Sequence, residues 1–310
     1  MLYRNLGSSG VKVSAIGLGT NQFGGKVGFK EAAEIIAAAL DRGVNLIDTS
    51  NSYQSGRSEE AIGQALQVNR QKALIATKVH NQVGEGPNDM GASRKHILSA
   101  VEDSLRRLKT DYIDLYQIHR WDPGTPILET MRTLDDLVRS GKVRYIGASN
   151  FDAWQLTWAN ALAGREGLTS FISIQPHYHM LERGIEAELL PACRYFGTGV
   201  LPYYPLAGGF LTGKYRRGKP LPPGSRAENN PYVQSYLTPE NFSRLEKLEA
   251  FARERGHPLT ELAHAWLLAQ PQISSVISGA TNTDQVAANV AGVEWLLDES
   301  DLVEISNLLE

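Results

Sequence analysis

Apolar residues recur along this chain with two alternating periods. Short runs that are apolar almost throughout give way to longer stretches with apolar residues every third or fourth position, and from Ile16 onward this pair repeats eight times. The first pattern predicts strands covered on both faces, the second amphipathic helices. Strands are predicted at 15–19, 45–48, 73–77, 112–118, 143–148, 171–175, 200–204 and 275–277. Helices are predicted at 30–41, 58–67, 94–108, 127–139, 153–162, 184–195, 240–255, 259–270 and 284–291, with Ser93 as an N-cap and Gly43 and Gly141 as stops. Ahead of the repeat, 2–4 and 11–13 flank the turn Gly7-Ser8-Ser9-Gly10 and predict a β-hairpin. A last helix is predicted at 298–309, outside the main body.

Eight strand–helix units in one chain predict an α/β fold, a (β/α)8 TIM barrel, with an open doubly wound sheet as the fallback. No linker or shift in composition divides the chain, so 1–310 is expected to be a single domain. The longest non-periodic stretch, 207–231, follows strand seven, and loops of that length in compact domains are usually functional. Hydrophobic residues at 42% and charged ones at 21% exclude disorder. A net charge of -3, from 31 basic and 34 acidic residues, argues against a nucleic-acid partner. One cysteine, Cys193, suits a reducing compartment. With no membrane-length apolar run and no apolar leader in the first ten residues, a cytoplasmic protein with no membrane partner is expected. Nothing in the sequence supports an oligomer.

In such a barrel, chemistry sits at the C-terminal ends of the strands. Asp48 ends strand two with Tyr53 just beyond it, Lys78 ends strand three, and His119 ends strand four. Singly, each has a bland reading: a helix cap, a solvated charge, a structural histidine. Together they make a proton-donating site. An ammonium beside a phenol is expected to lower its pKa, Asp48 would hold Lys78 charged, and His119 would orient a carbonyl oxygen. The set lacks a nucleophile or a metal, so a hydride cofactor is expected to supply the rest of the reaction.

These residues fall in motifs that closely resemble the aldo-keto reductases. They are Asn45-Leu46-Ile47-Asp48-Thr49 followed by Tyr53, Gly56, Ser58-Glu59 and Ile62-Gly63; Ala76-Thr77-Lys78; Asp114-Leu115-Tyr116-Gln117-Ile118-His119; and Gly147-Ala148-Ser149-Asn150-Phe151. The resemblance runs in order from about residue 2 to residue 290, and is greatest to the branch near the potassium-channel β subunits and bacterial general-stress reductases. It implies an NAD(P)H-dependent reductase of small carbonyl substrates, with Tyr53 as general acid and Asp48, Lys78 and His119 completing a tetrad. By the same resemblance Ser149, Asn150 and Gln175 hold the nicotinamide carboxamide, and Tyr203 stacks on the ring. Thr20 and Asn21 line the cleft. Tyr204 joins the cofactor set, Pro205, Leu206, Ala207 and Gly208 run along the pyrophosphate, and Lys214 and Arg226 supply charge. Gly279, Thr281, Gln285 and Asn289 match the adenosine site. Gly279, Gln285 and Ala288 stand where many relatives carry charge, yet Lys214 and Arg226 favour NADPH over NADH. Phe23, Trp121 and His177 are expected in the substrate pocket.

Two motif matches fail. Gly208 to Lys214 is a P-loop one residue short, with Tyr215 where a hydroxyl must bind magnesium, and Gly17-Leu18-Gly19 lacks the third glycine of the dinucleotide fingerprint. His177 and His179 have no third ligand at metal spacing, so no metal is expected. Besides a carbonyl reductase, a nicotinamide-binding redox sensor or channel-type regulatory subunit remains open. A carboxylate-pair hydrolase is disfavoured, since only Asp48 is well placed for it.

Overall fold

Alternation of the two periods produces alternating elements over the whole of residues 1–310, which the computed structural model describes. β1 (Tyr3–Asn5) and β2 (Lys12–Ser14) form an antiparallel hairpin. Then follow β3 (Ile16–Gly19), α1 (Phe29–Asp41), β4 (Leu46–Asp48), α2 (Arg57–Ala65), β5 (Leu74–Val79), α3 (Arg94–Leu108), β6 (Ile113–Ile118), α4 (Ile127–Arg139), β7 (Val143–Ser149), α5 (Ala153–Glu166), β8 (Ser173–Gln175), α6 (Leu189–Phe196) and β9 (Gly199–Val200). A long connection carrying the short α7 (Pro231–Gln234) leads to α8 (Pro239–Glu254), α9 (Leu259–Leu268), β10 (Val276–Gly279), α10 (Thr283–Ala291) and α11 (Glu299–Leu309).

β3 to β10 are parallel, in the order β10-β3-β4-β5-β6-β7-β8-β9. The two ends of that row meet through bridges between Val200 and Ile273 and between Tyr203 and Ile277, closing the ring. The fold is thus the (β/α)8 barrel, with its hairpin at the N-terminal end. Leu6 and Val13 of the hairpin pack with Leu46, Leu115, Leu201 and Ile277 inside the strands and plug the barrel floor. Arg4 fastens the plug by donating to the carbonyls of Leu268 and Ile273. No helix is long and apolar enough to cross a membrane.

Three of the expected elements that come out shorter than their apolar patterns do so for a clear local reason. Helix 184–195 begins only at Leu189, after a 3₁₀ turn at Gly184–Glu186. Pro191 lacks an N–H and its ring clashes with the carbonyl four residues back, so it is tolerated only in a first turn. Strand 200–204 is regular only to Val200, because Pro202 cannot donate to the ladder. Strand 171–175 starts at Ser173, since the Asn160 side chain takes both backbone groups of Phe171.

Candidate active site

β4, β5 and β6 end side by side at the open mouth of the barrel. Lys78 Nζ donates to Asp48 Oδ1 at 2.6 Å and to the Thr49 carbonyl at 2.8 Å, and lies 3.4 Å from Tyr53 Oη. Lys78 is wholly buried and Asp48 nearly so. A buried ion pair survives only when its remaining valences are satisfied. Here Asp48 Oδ2 accepts from Gln175 Nε2 at 2.7 Å and Gln117 Nε2 at 3.4 Å.

Tyr53 reaches the pair from the loop after β4, and that loop is tightly bent. Gln54 and Ser55 hold φ of 51° and 56°, and Gly56 follows at 88°. A Cβ on Gly56 would lie 2.9 Å from the Arg107 side chain, so both conformation and space require glycine there. Arg107 in turn donates to the fully buried Glu59 (2.7 Å), whose other oxygen accepts from Thr77 Oγ1 (2.5 Å). This network braces the Tyr53 loop against β5 one residue before Lys78. Burial raises the Glu59 pKa, with Arg107 pulling the other way.

The expected drop in the Tyr53 pKa is reversed. Burial of the phenol raises it, and the Lys78 ammonium offsets only part of that. The Tyr53 phenol therefore keeps its proton. Burial alone would lower Lys78, but Asp48 and Tyr53 outweigh it and the ammonium stays charged. His119 closes the group, its ring edge-on to Tyr53 with centroids 5.9 Å apart. Burial first, then Lys78, Arg120 and His80, push its pKa down to about 2, so the imidazole is neutral.

The residues expected at the nicotinamide converge beside this group. Ser149 Oγ donates to the Gln175 carbonyl, Tyr203 Oη donates to Asn150 Oδ1, and Asn150 Nδ2 donates to the His119 carbonyl, all at 2.8–3.0 Å. Along the loop after β9, Leu206 is half-buried while Pro205, Ala207 and Gly208 are covered, the last by Val233 of α7. Lys214 and Arg226 lean on the rings of Tyr215 and Tyr204 at 5.1 and 5.7 Å, with no carboxylate partner. Their neighbours Arg216 and Arg217 instead pair with Glu249 and Glu246 of α8. At the end of β10, Gln285 Oε1 accepts from the Thr281 N–H and Asn289 Nδ2 donates to the Gly279 carbonyl, leaving the side of Gly279 open.

Six residues sit less simply. Thr20 is buried, its hydroxyl donating to the Asp48 carbonyl and meeting Ser58, while half-buried Asn21 accepts Gln54 through its carbonyl. Phe23 is a correction: it is entirely buried in the core between barrel and helices and presents no surface to a pocket. Trp121 stays half-buried at the rim, edge-on to Phe151 and Trp154. His177 and His179 do face each other, 4.8 Å between ring centroids, but their partners are the hydroxyls of Tyr232 and Tyr236, and His177 stacks on Tyr203. Sequence reasoning quoted Glu59 without a role and missed Arg107 and Asn81, the last described below.

A barrel of this order with an Asp–Lys–Tyr–His group at its mouth defines a class, and the comparison with known proteins agrees. The model of the aldo/keto reductase family matches residues 15–310, and the chain belongs to that family. Among its relatives is a probable voltage-gated potassium channel subunit beta of Oryza sativa subsp. japonica, 38% identical over 95% of this chain and 92% of that one. An uncharacterized oxidoreductase, YrpG, of Bacillus subtilis is 37% identical over 99% and 96%. The versiconal hemiacetal acetate reductase of Aspergillus parasiticus is 33% identical over 97% and 95%.

Proposed function

We propose that this aldo/keto reductase is an NADPH-dependent enzyme that reduces aldehydes or ketones to alcohols, with Tyr53 as the proton donor. The observation that carries the reading is the buried Asp48–Lys78 pair within 3.4 Å of a phenol whose proton is retained. Next to it, Ser149, Asn150 and Gln175 offer the donors and acceptors that an amide edge needs, and Tyr203 offers an aromatic face. That donor set fits a nicotinamide. The unpaired Lys214 and Arg226 fit an adenosine phosphate, which favours NADPH over NADH.

When bound, the reduced nicotinamide supplies the hydride. The chain's own groups do the rest. As charge builds on the carbonyl oxygen, the Tyr53 hydroxyl transfers its proton to it, giving the alcohol and leaving a phenolate. Lys78 stabilises that phenolate across 3.4 Å, and Asp48 keeps the ammonium in place. Neutral His119 hydrogen-bonds the same oxygen and directs it at Tyr53.

Similarity to potassium-channel β subunits supports a second reading, a nicotinamide-binding regulatory module in which turnover is incidental. One experiment separates the two: NADPH absorbance is followed with aliphatic, aromatic and sugar-like aldehydes, for the protein and for Tyr53→Phe. Turnover that falls by about 10²- to 10⁴-fold in the variant, with unchanged NADPH affinity, is the expected result. Turnover that survives the substitution overturns the mechanism, and tight NADPH binding with no turnover on any substrate supports the second reading.

A further inference from the structure

The chain turns sharply at the end of β5. His80 holds φ at 137°, a conformation that side chains other than glycine rarely adopt, at a cost of about 1–3 kcal/mol. The N–H of Gly91 donates to the His80 carbonyl at 2.8 Å and pins the start of the loop. This turn aims the next side chain, Asn81, back into the barrel mouth. Its Nδ2 stands 3.2 Å from His119 Nδ1 and 3.3 Å from Ser52 Oγ.

An amide nitrogen carries two hydrogens and accepts nothing. With the Asn81 amide nitrogen turned toward it, His119 Nδ1 is an acceptor. Ser50 Oγ also lies 3.2 Å from Nδ1, but a hydroxyl both donates and accepts, so it suits either tautomer. With its amide nitrogen inward, Asn81 decides. A neutral ring that accepts at Nδ1 carries its one proton on Nε2, and no group of the protein bonds that nitrogen.

We propose that Asn81 is a positioning residue that fixes His119 as the Nε2–H tautomer, so that an N–H rather than a lone pair meets the substrate's carbonyl oxygen beside Tyr53. The tautomer assignment stands on this geometry alone; its effect on rate rests on the carbonyl-reduction reading. A lone pair at that position would repel the charge that grows on the oxygen, whereas the N–H stabilises it.

The test uses ¹⁵N NMR of the histidine side chains in the full chain, with the His119 signals assigned by their loss in His119→Gln. His119 is expected as Nε2–H in the unaltered protein. Asn81→Asp is nearly isosteric but only accepts at that point, so Nδ1 must then carry a proton; carbonyl turnover falls about 10²-fold with NADPH affinity unchanged. Asn81→Ala, which neither donates nor accepts, gives mixed tautomers and an intermediate rate, and serves if the aspartate variant does not fold. An Nδ1–H tautomer in the unaltered protein overturns the proposal. So does an Nε2–H tautomer that persists in both variants, or a tautomer that moves while turnover does not. An Nε2–H tautomer that depends on Asn81, in a protein that reduces no carbonyl, upholds the assignment and removes the reductase reading instead.

Discussion

Replacing Lys78 by Met keeps the volume of a wholly buried side chain and deletes its charge. Asp48 then retains Gln175 and Gln117 on one oxygen but loses the 2.6 Å ammonium contact on the other. Removing one partner of a buried pair typically costs about 3–5 kcal/mol, because the remaining charge is left uncompensated. For a chain of 310 residues, with an unfolding entropy of about 2 cal/mol/K per residue, that lowers the melting temperature by about 5–8 °C. Asp48→Asn strands the lysine and should cost a similar amount. The double variant carries neither charge and should be far less destabilised than the sum of the two. Denaturant unfolding of all four proteins, followed by tryptophan fluorescence, measures the coupling. If the two single effects add to within about 0.5 kcal/mol in the double variant, the pair does not function as a buried unit and its part in the mechanism falls with it.

Further outcomes concern pH and cofactor charge. Burial keeps His119 at about 2, His179 at about 3 and His264 at about 4, against an ordinary value near 6.5. Below pH 6.5 the unfolded chain therefore takes up protons that the folded one refuses, and each histidine withdraws up to about 1.4 kcal/mol of stability per pH unit. The urea midpoint should fall between pH 7 and pH 5; an unchanged midpoint would contradict the burial of these rings. For the cofactor, Lys214→Ala and Arg226→Ala should each weaken NADPH binding more than NADH binding in titrations of nicotinamide fluorescence. Arg216→Ala, which loses only its pair with Glu249, should leave both affinities unchanged, and an equal effect from all three would refute the assignment of charge.

Much of this was legible in the chain. The apolar stripe of α4 and the glycine behind it marked its ends to the residue, and three strand-end side chains with Tyr53 just beyond pointed to the group that the structure brings together. What escaped notice had identifiable causes. Glu59 stood in a quoted motif but had no role of its own, although it lies on the same stripe as Ile62, Gly63 and Leu66; spacing outweighs residue type once Arg107 is there to neutralise it. Asn81 lies beyond any periodic pattern, and only the unusual backbone of His80 turns it inward. The direction of the Tyr53 pKa depends on how deeply the phenol is buried relative to its distance from Lys78, a balance set by the bend at Gln54, Ser55 and Gly56. Prolines explain the shortened α6 and β9, where hydrophobicity alone overran the elements.

The hairpin that plugs the floor has a consequence for how the molecule is made. Arg4 binds carbonyls at 268 and 273, and Leu6 and Val13 rest against Leu201 and Ile277, so the hairpin is synthesised long before the residues that hold it. Contacts so distant in sequence form late, after the loop between them has been ordered. Until residues 268–277 are available, the hairpin has nothing to close and the barrel's apolar interior stays open at its base, the state in which a nascent chain of this kind is most prone to aggregate.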